Sequence, residues 1–224
     1  HLFIAANTPE QVVGDSVRLQ QALSNLLSNA LKFTSKGEVQ LEVALVGETK
    51  GEYQVEFVVR DSGIGMSADS LTNIFQPFTQ ADNSTTRKFG GTGLGLSITK
   101  SIIEMMQGNI TAESREGAGS VFRFNAFFGK IAEAAPTKSD AAQPLKGKRL
   151  LVVEPNLVCR RIIEAYLAEQ GVVVEFLADG AQTIALFMNS QPMPKYAAVL
   201  IDDIRPDMKA WDLVSVIGLA GLDP

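Results

Sequence analysis

The architecture turns on Gly90-Gly91-Thr92-Gly93-Leu94-Gly95-Leu96, a glycine-rich run that leads straight into a segment of helical periodicity. From Leu94 to Gln107 the apolar residues Leu96, Ile98, Ile102, Ile103 and Met106 recur at helical spacing, and Gly108 is placed to stop the helix. Unhindered glycine N–H groups next to a helix N-terminus make a cradle for a phosphate chain. A flexible hinge explains the glycines but not their position against a helix start. No Lys-Ser/Thr pair follows, which excludes the Walker loop. A polar run, Thr79 to Gly91, precedes it in place of a strand, which excludes the dinucleotide fingerprint. That run, nearly devoid of apolar residues, is expected to be a mobile lid.

Upstream, Leu19, Ala22, Leu23, Leu26, Leu27, Ala30 and Leu31 predict a helix from Asp15 or Ser16, either of which suits the N-cap, to about Thr34. On it Asn25, Asn29 and Lys32 fall within about 60° of arc beside the apolar stripe. A carboxamide oxygen is a hard ligand for Mg²⁺ and a lysine is a point charge for phosphate, although a solvated polar face has the same pattern. Two alternating runs, Val39 to Leu45 and Tyr53 to Val59, predict an antiparallel hairpin with Asp61 at its exit. Asp61-Ser62-Gly63-Ile64-Gly65 then puts a carboxylate at a strand end before two glycines that let the backbone bend around a planar ligand; a turn capped by Asp reads equally well. A short helix from Ala68 to Phe75 and strands Asn109 to Ser114 and Ser120 to Phe128 complete the expected first domain, helices over one face of an antiparallel sheet.

After Lys130 the pattern changes. Residues 130–145, rich in Ala, Pro, Lys and Asp, read as a linker. Beyond it Leu150 to Val153, Val172 to Leu177 and Ala197 to Ile201 are continuous apolar strands with helical segments between them, the pattern of a buried parallel sheet. The expected organisation is an α+β two-layer sandwich over 1–129, a linker over 130–145, and a partial doubly wound α/β domain over 146–224.

Composition narrows the chemistry. The chain has 224 residues, 46% of them apolar, enough for two modest cores. With 20 Lys+Arg against 25 Asp+Glu the net charge is −5, which disfavours nucleic acid and anionic membrane as partners. The single cysteine, Cys159, forms no internal disulfide and no thiolate zinc site, and a reducing cytoplasm is expected. The single histidine, His1, excludes histidine-based triads, histidine-ligated metals and an internal phosphohistidine. No apolar run reaches the roughly 18 residues of a membrane span. The first Met is Met66, so the chain reads as an excised piece.

The stretches Asn25 to Thr34, Asp61 to Gly65, Phe75-Gln76-Pro77-Phe78, Gly91 to Leu96 and Gly117 to Phe122 resemble, in order, the N, G1, F, G2 and G3 boxes of sensor histidine kinases. The resemblance covers residues 1–129 and implies a Bergerat-type ATP site. In it Asp61 would bind the adenine amine, Asn29 would hold Mg²⁺, and Asn25 and Lys32 would lie near the metal and phosphates. Gly63 and Gly65 would border the nucleotide, and Gly91, Thr92, Gly93, Leu94 and Gly95 the triphosphate. Arg87 and Lys88 in the lid are candidates for the γ-phosphate, with solvated lid charges the alternative. Phe75 and Phe78 are expected to anchor the lid on the core. Hydrolytic ATPases with this pocket carry a Glu base four residues before the metal Asn, where this chain has Asn25, so transfer to a docked histidine fits better than attack by water. The acceptor histidine would lie on dimerisation helices upstream in a homodimeric parent, with a receiver or phosphotransfer protein downstream. A Bergerat ATPase and a nucleotide-responsive interaction module remain the rival readings.

In the second domain, Leu150 to Asn156 and Ala198 to Met208 resemble the first and third strands of a flavodoxin-like response-regulator receiver, with Asp202 at the phosphoacceptor position; an Asp capping a loop is the alternative. Pro155 stands where a metal-contacting acid belongs, leaving only Glu154, and Lys209-Ala210 replaces the usual Asp-Gly. A degraded receiver serving as a regulatory or protein-binding module is therefore preferred to a working one with weak metal affinity.

Overall fold

The computed structural model describes residues 1–79, 93–131, 145–168, 170–189, 195–202 and 207–219. The chain divides into two compact units, His1–Thr137 and Lys138–Pro224. Most of the expected linker and lid lie outside the described residues. No helix among the described residues is long and apolar enough to cross a membrane.

The first unit is a five-stranded sheet with helices on one face. Helix α1 spans Ser16–Phe33. Asp15 caps it from an extended conformation, its Oδ1 accepting the Arg18 N–H at 3.0 Å, and Lys32 in the last turn complements the helix dipole. Strands β1 (Leu2–Ile4), β2 (Val39–Glu48), β3 (Glu52–Asp61), β4 (Ile110–Arg115) and β5 (Gly119–Gly129) form a sheet of order β1-β2-β3-β5-β4. Short α2 (Ala68–Asn73) and longer α3 (Gly95–Met105) complete the unit. The sheet is mixed instead of purely antiparallel, because β1 pairs parallel to β2, with Leu2 opposite Leu41. Three residues are too few to show alternation, so this strand leaves no periodic signal.

Alternation along β3 and β5 sends Val55, Phe57, Val59, Phe122, Phe124, Ala126 and Phe128 to the helix side, where they meet Ala22, Leu26 and Ala30 of α1 and Ile102, Ile103 and Met106 of α3. Phe57 stacks on Phe124 at 4.8 Å and meets Phe128 edge-on at 6.3 Å, pairs that add about 0.5–1.5 kcal/mol each beyond the area they bury. Two residues expected in the core are outside it: Leu31 is 67% and Ile98 46% exposed. Each lies at the margin of its helix's apolar arc.

The second unit is a three-stranded parallel sheet, β6 (Arg149–Val153), β7 (Val173–Leu177) and β8 (Ala198–Ile201), in the order β7-β6-β8. Helix α4 (Leu157–Ala168) lies on one face, with the Arg160 guanidinium over Phe176 at 5.9 Å. Helices α5 (Gly180–Asn189) and α6 (Ala210–Leu219) cover the other, packing Phe187, Leu213 and Ile217 on Leu151 and Val153. Helices on both faces explain why β6 reads as an unbroken apolar run.

Ahead of β8, the Tyr196 hydroxyl donates to Glu175 Oε2 at 2.7 Å, and Arg149 reaches the same oxygen at 3.0 Å. Burial first, then the hydrogen bond and negative charge of Glu175, push the Tyr196 hydroxyl up to about 12. A folded-state value above the unfolded 10 means that this contribution is complete below pH 10 and is lost as pH rises through 12. Tyr196→Phe will destabilise this unit by about 0.5–1 kcal/mol at pH 8 and remove that part of the alkaline decline, as read by urea denaturation followed by circular dichroism at pH 8 and pH 12.

Candidate functional site

Helix α1 is met by two other segments: the start of α3 beside Asn25, and the loop after β3 beside Phe33. Asn25, Asn29 and Lys32 are all half-buried on α1. The two amides differ. Asn25 Nδ2 donates to Thr99 Oγ1 at 2.7 Å, and its Oδ1 faces Gly95, where a Cβ would lie only 2.7 Å away. Asn29 makes no side-chain hydrogen bond among the described residues. The first amide is thus a strut between α1 and α3, and the second presents a free carboxamide oxygen. Lys32 Nζ sits 5.0 Å from the Phe33 ring centroid.

Asp61 closes β3 and is 7% exposed. Its Oδ1 accepts the Gly63 N–H at 2.9 Å, which leaves Oδ2 as the oxygen able to take a donor from a bound molecule. The loop that follows is stitched to both of its neighbours. Ser62 N–H donates to Glu38 O at 3.1 Å, Ile64 N–H to Phe33 O at 3.2 Å, and Met66 N–H to Ser114 Oγ at 2.8 Å. Gly117 N–H donates to Ile64 O at 2.7 Å. The glycines here make room for protein backbone: a Cβ at Gly63 would lie 2.4 Å from Phe33 O, and one at Gly65, where φ is +66°, 2.0 Å from Arg115 O. Their first effect is to hold Asp61 between the end of α1 and the β4–β5 turn.

At the start of α3, Leu94 offers no side-chain cap, so the first N–H groups of an 11-residue helix have no side-chain acceptor there. Gly93, at φ +70°, accepts the Phe78 N–H at 3.1 Å, which brings residues 78 and 93 side by side. Arg87, Lys88, Gly91 and Thr92 lie outside the described residues.

Phe75 packs edge-on against Phe122 at 6.5 Å, as expected of an anchor. Phe78 does not: it is 76% exposed with φ 62°, turned away from the core by the bend that brings its N–H to Gly93. Thr99, 1% exposed, was missed on sequence, although it follows Gly95 by one turn on the face shared with Ile102 and Met106.

In the second unit, Glu154 and Asp202 end the adjacent strands β6 and β8, with Asp202 N–H donating to Val153 O at 3.0 Å. Glu154 is 8% exposed and its Oε1 accepts the Asn156 N–H at 2.7 Å, while Asn156 Oδ1 caps α4 through Val158 N–H at 2.7 Å. The carboxylate at this strand end is engaged by its own loop, and Pro155 adds none.

Residues 14–129 match the family described as histidine kinase-, DNA gyrase B-, and HSP90-like ATPase. Sensor protein GacS of Pseudomonas syringae pv. syringae is 41% identical over 171 residues, 76% of this chain and 18% of that protein. Signal transduction histidine-protein kinase BarA of Escherichia coli strain K12 is 37% identical over 175 residues, 78% of this chain and 19% of that protein. Autoinducer 2 sensor kinase/phosphatase LuxQ of Vibrio cholerae is 36% identical over 207 residues, 87% of this chain and 23% of that protein. The chain thus spans about a fifth of the length of these relatives. The crystal structure of full-length ShkA in complex with AMPPNP covers 100% of this chain and 51% of its own, with a TM-score of 0.61 at 22% identity, a likeness of fold.

Proposed function

The chain belongs to the histidine kinase-, DNA gyrase B-, and HSP90-like ATPase family, and from that premise we propose that it is the ATP-binding catalytic part of a hybrid sensor histidine kinase in two-component phosphorelay signalling. The observation that carries this reading is the Asn25–Thr99 strut, which ties the polar face of α1 to α3 one helical turn ahead of the open amide of Asn29. Asp61 Oδ2 accepts from the exocyclic amine of the purine. The α3 N-terminus, with Gly93, Leu94 and Gly95, faces the triphosphate, and Lys32 adds positive charge nearby. Arg87, Lys88, Gly91 and Thr92 are assigned to the γ-phosphate end on sequence alone.

The donor set fits magnesium: Mg²⁺ keeps several waters and substrate phosphate oxygens, so one hard protein oxygen from Asn29 is sufficient. Bound there, the ion would neutralise charge on the phosphate oxygens.

Asn25 separates this activity from simple hydrolysis. A carboxamide accepts no proton, and this one is already committed to Thr99, so no general base stands at that position. The acceptor is instead a histidine on dimerisation helices of the parent, because the chain's only histidine, His1, adjoins edge strand β1 and not a helix. The parent is read as a homodimer with this part in the cytoplasm. The second unit is read as a degraded receiver: the β7-β6-β8 order suits the opening of a flavodoxin-like sheet, and the engaged Glu154 and Pro155 leave Asp202 without a pair of metal-binding acids. It would act as a regulatory or protein-binding module, upstream of a separate receiver or phosphotransfer protein.

Incubated with labelled Mg-ATP, the chain alone will stay unlabelled, and adding the parent's dimerisation helices will produce acid-labile label on those helices. Label on the chain alone, or none with the helices present, would overturn the proposal.

A further inference from the structure

The face of the first sheet opposite α1 and α3 carries a cavity of about 400 Å³, within the range of small-ligand sites. Its shape follows from register. Glu113, Val121, Arg60 and Gln40 form one row across β4, β5, β3 and β2, one residue out of phase with the core-facing positions. Arg115 lies opposite Gly119 at the sheet's end. The middle strand therefore contributes the small residues Gly119, Ser120 and Val121, while long side chains rise on either side, and the floor drops between two arginines.

These guanidiniums differ from their neighbour. Arg123, on the same face, pairs with Glu56 at 2.8 Å. Neither Arg60 nor Arg115 has a carboxylate within ion-pair distance among the described residues, and Glu38 at the rim lies 3.2 Å from His1 Nε2. Two forks without a carboxylate partner among the described residues, on strands either side of β5, are the residue type suited to bidentate contact with an oxyanion.

We propose that this cavity binds a small molecule with a terminal oxyanion, phosphate or carboxylate, clamped between Arg60 and Arg115, with Glu113 taking a donor group of the same ligand. Asp61 and Ser62, at the end of β3, also border this cavity, but the clamp is built from Arg60 and Arg115 and does not rest on the assignment of the nucleotide site.

The test is titration of the full 224-residue chain with inorganic phosphate and, in a second arm, acetate, at low ionic strength, following amide chemical shifts. Saturable shifts at Ser62, Gly119 and Val121 are expected. A stronger response to phosphate assigns a phosphate-bearing ligand, and a stronger response to acetate a carboxylate-bearing one. The double variant Arg60→Gln/Arg115→Gln will lose about tenfold or more in affinity with spectral dispersion retained. Val121→Glu, which supplies a carboxylate from the floor, will do the same. Absence of saturable shifts with both anions, shifts unchanged in both variants, or shifts confined to residues 94–97 would each overturn the proposal.

Discussion

Asp61→Asn is expected to lower affinity for Mg-ATP by about 30- to 150-fold, the equivalent of roughly 2–3 kcal/mol for replacing a charge-assisted acceptor by a donor. The substitution is isosteric, and its effect is confined to one atom. The amide oxygen still accepts the Gly63 N–H, which holds the loop at 2.9 Å in the parent chain. Only the position of Oδ2 changes, from an acceptor to an NH₂ group that opposes the purine amine. Because Asp61 is 7% exposed, water has little access to relieve the mismatch. Calorimetry with Mg-ATP checks the expectation, with circular dichroism as the control for folding. Unchanged affinity would remove the carboxylate from the nucleotide site.

Gly119→Ala is the second large effect, and it acts through the fold. Gly119 has φ +87°, and an added Cβ would lie 2.0 Å from Asp61 O and 2.9 Å from Ser62 Cα. Both obstacles are backbone in the strand pair that positions Asp61, so β5 must shift away from β3 at the point where Asp61 pairs with Ser120. We expect a loss of roughly 3–5 kcal/mol, combining left-handed strain with steric overlap. For a unit of this size that lowers Tm by about 10 °C or more. Gly117→Ala is the internal control: φ is +73° there, but nothing lies within 4 Å of the added atom, so only the conformational part, about 1 kcal/mol, should be lost. Differential scanning calorimetry of both variants separates the two contributions; equal losses would show that overlap with Asp61 is not what matters.

Much of the first unit was legible because its elements are long and one-sided. An 18-residue helix and two ten-residue strands give periodicity many repeats in which to show, and the cap at Asp15 was readable as a residue type. Parallel β1 was not legible, since three residues carry no period. The exposure of Leu31 and Ile98 was not legible either, because periodicity gives the direction of a side chain and not what packs over it. Of the two phenylalanines expected against the core, Phe75 packs on Phe122, whereas Phe78 faces out.

Chemical type and spacing were settled by the chain as written: which residues can accept, donate or bind a hard cation, and on which face of a helix they stand, since local geometry follows from 3.6- and 2-residue repeats. The tertiary structure alone decided how those groups are divided. It engaged one amide on Thr99 and left the other open, filled the spaces beside Gly63 and Gly65 with backbone from the ends of α1 and β4, and hollowed the sheet's far face between two arginines. Each depends on contacts between residues far apart in sequence, and such contacts arise only once the strands are in register and the helices are seated.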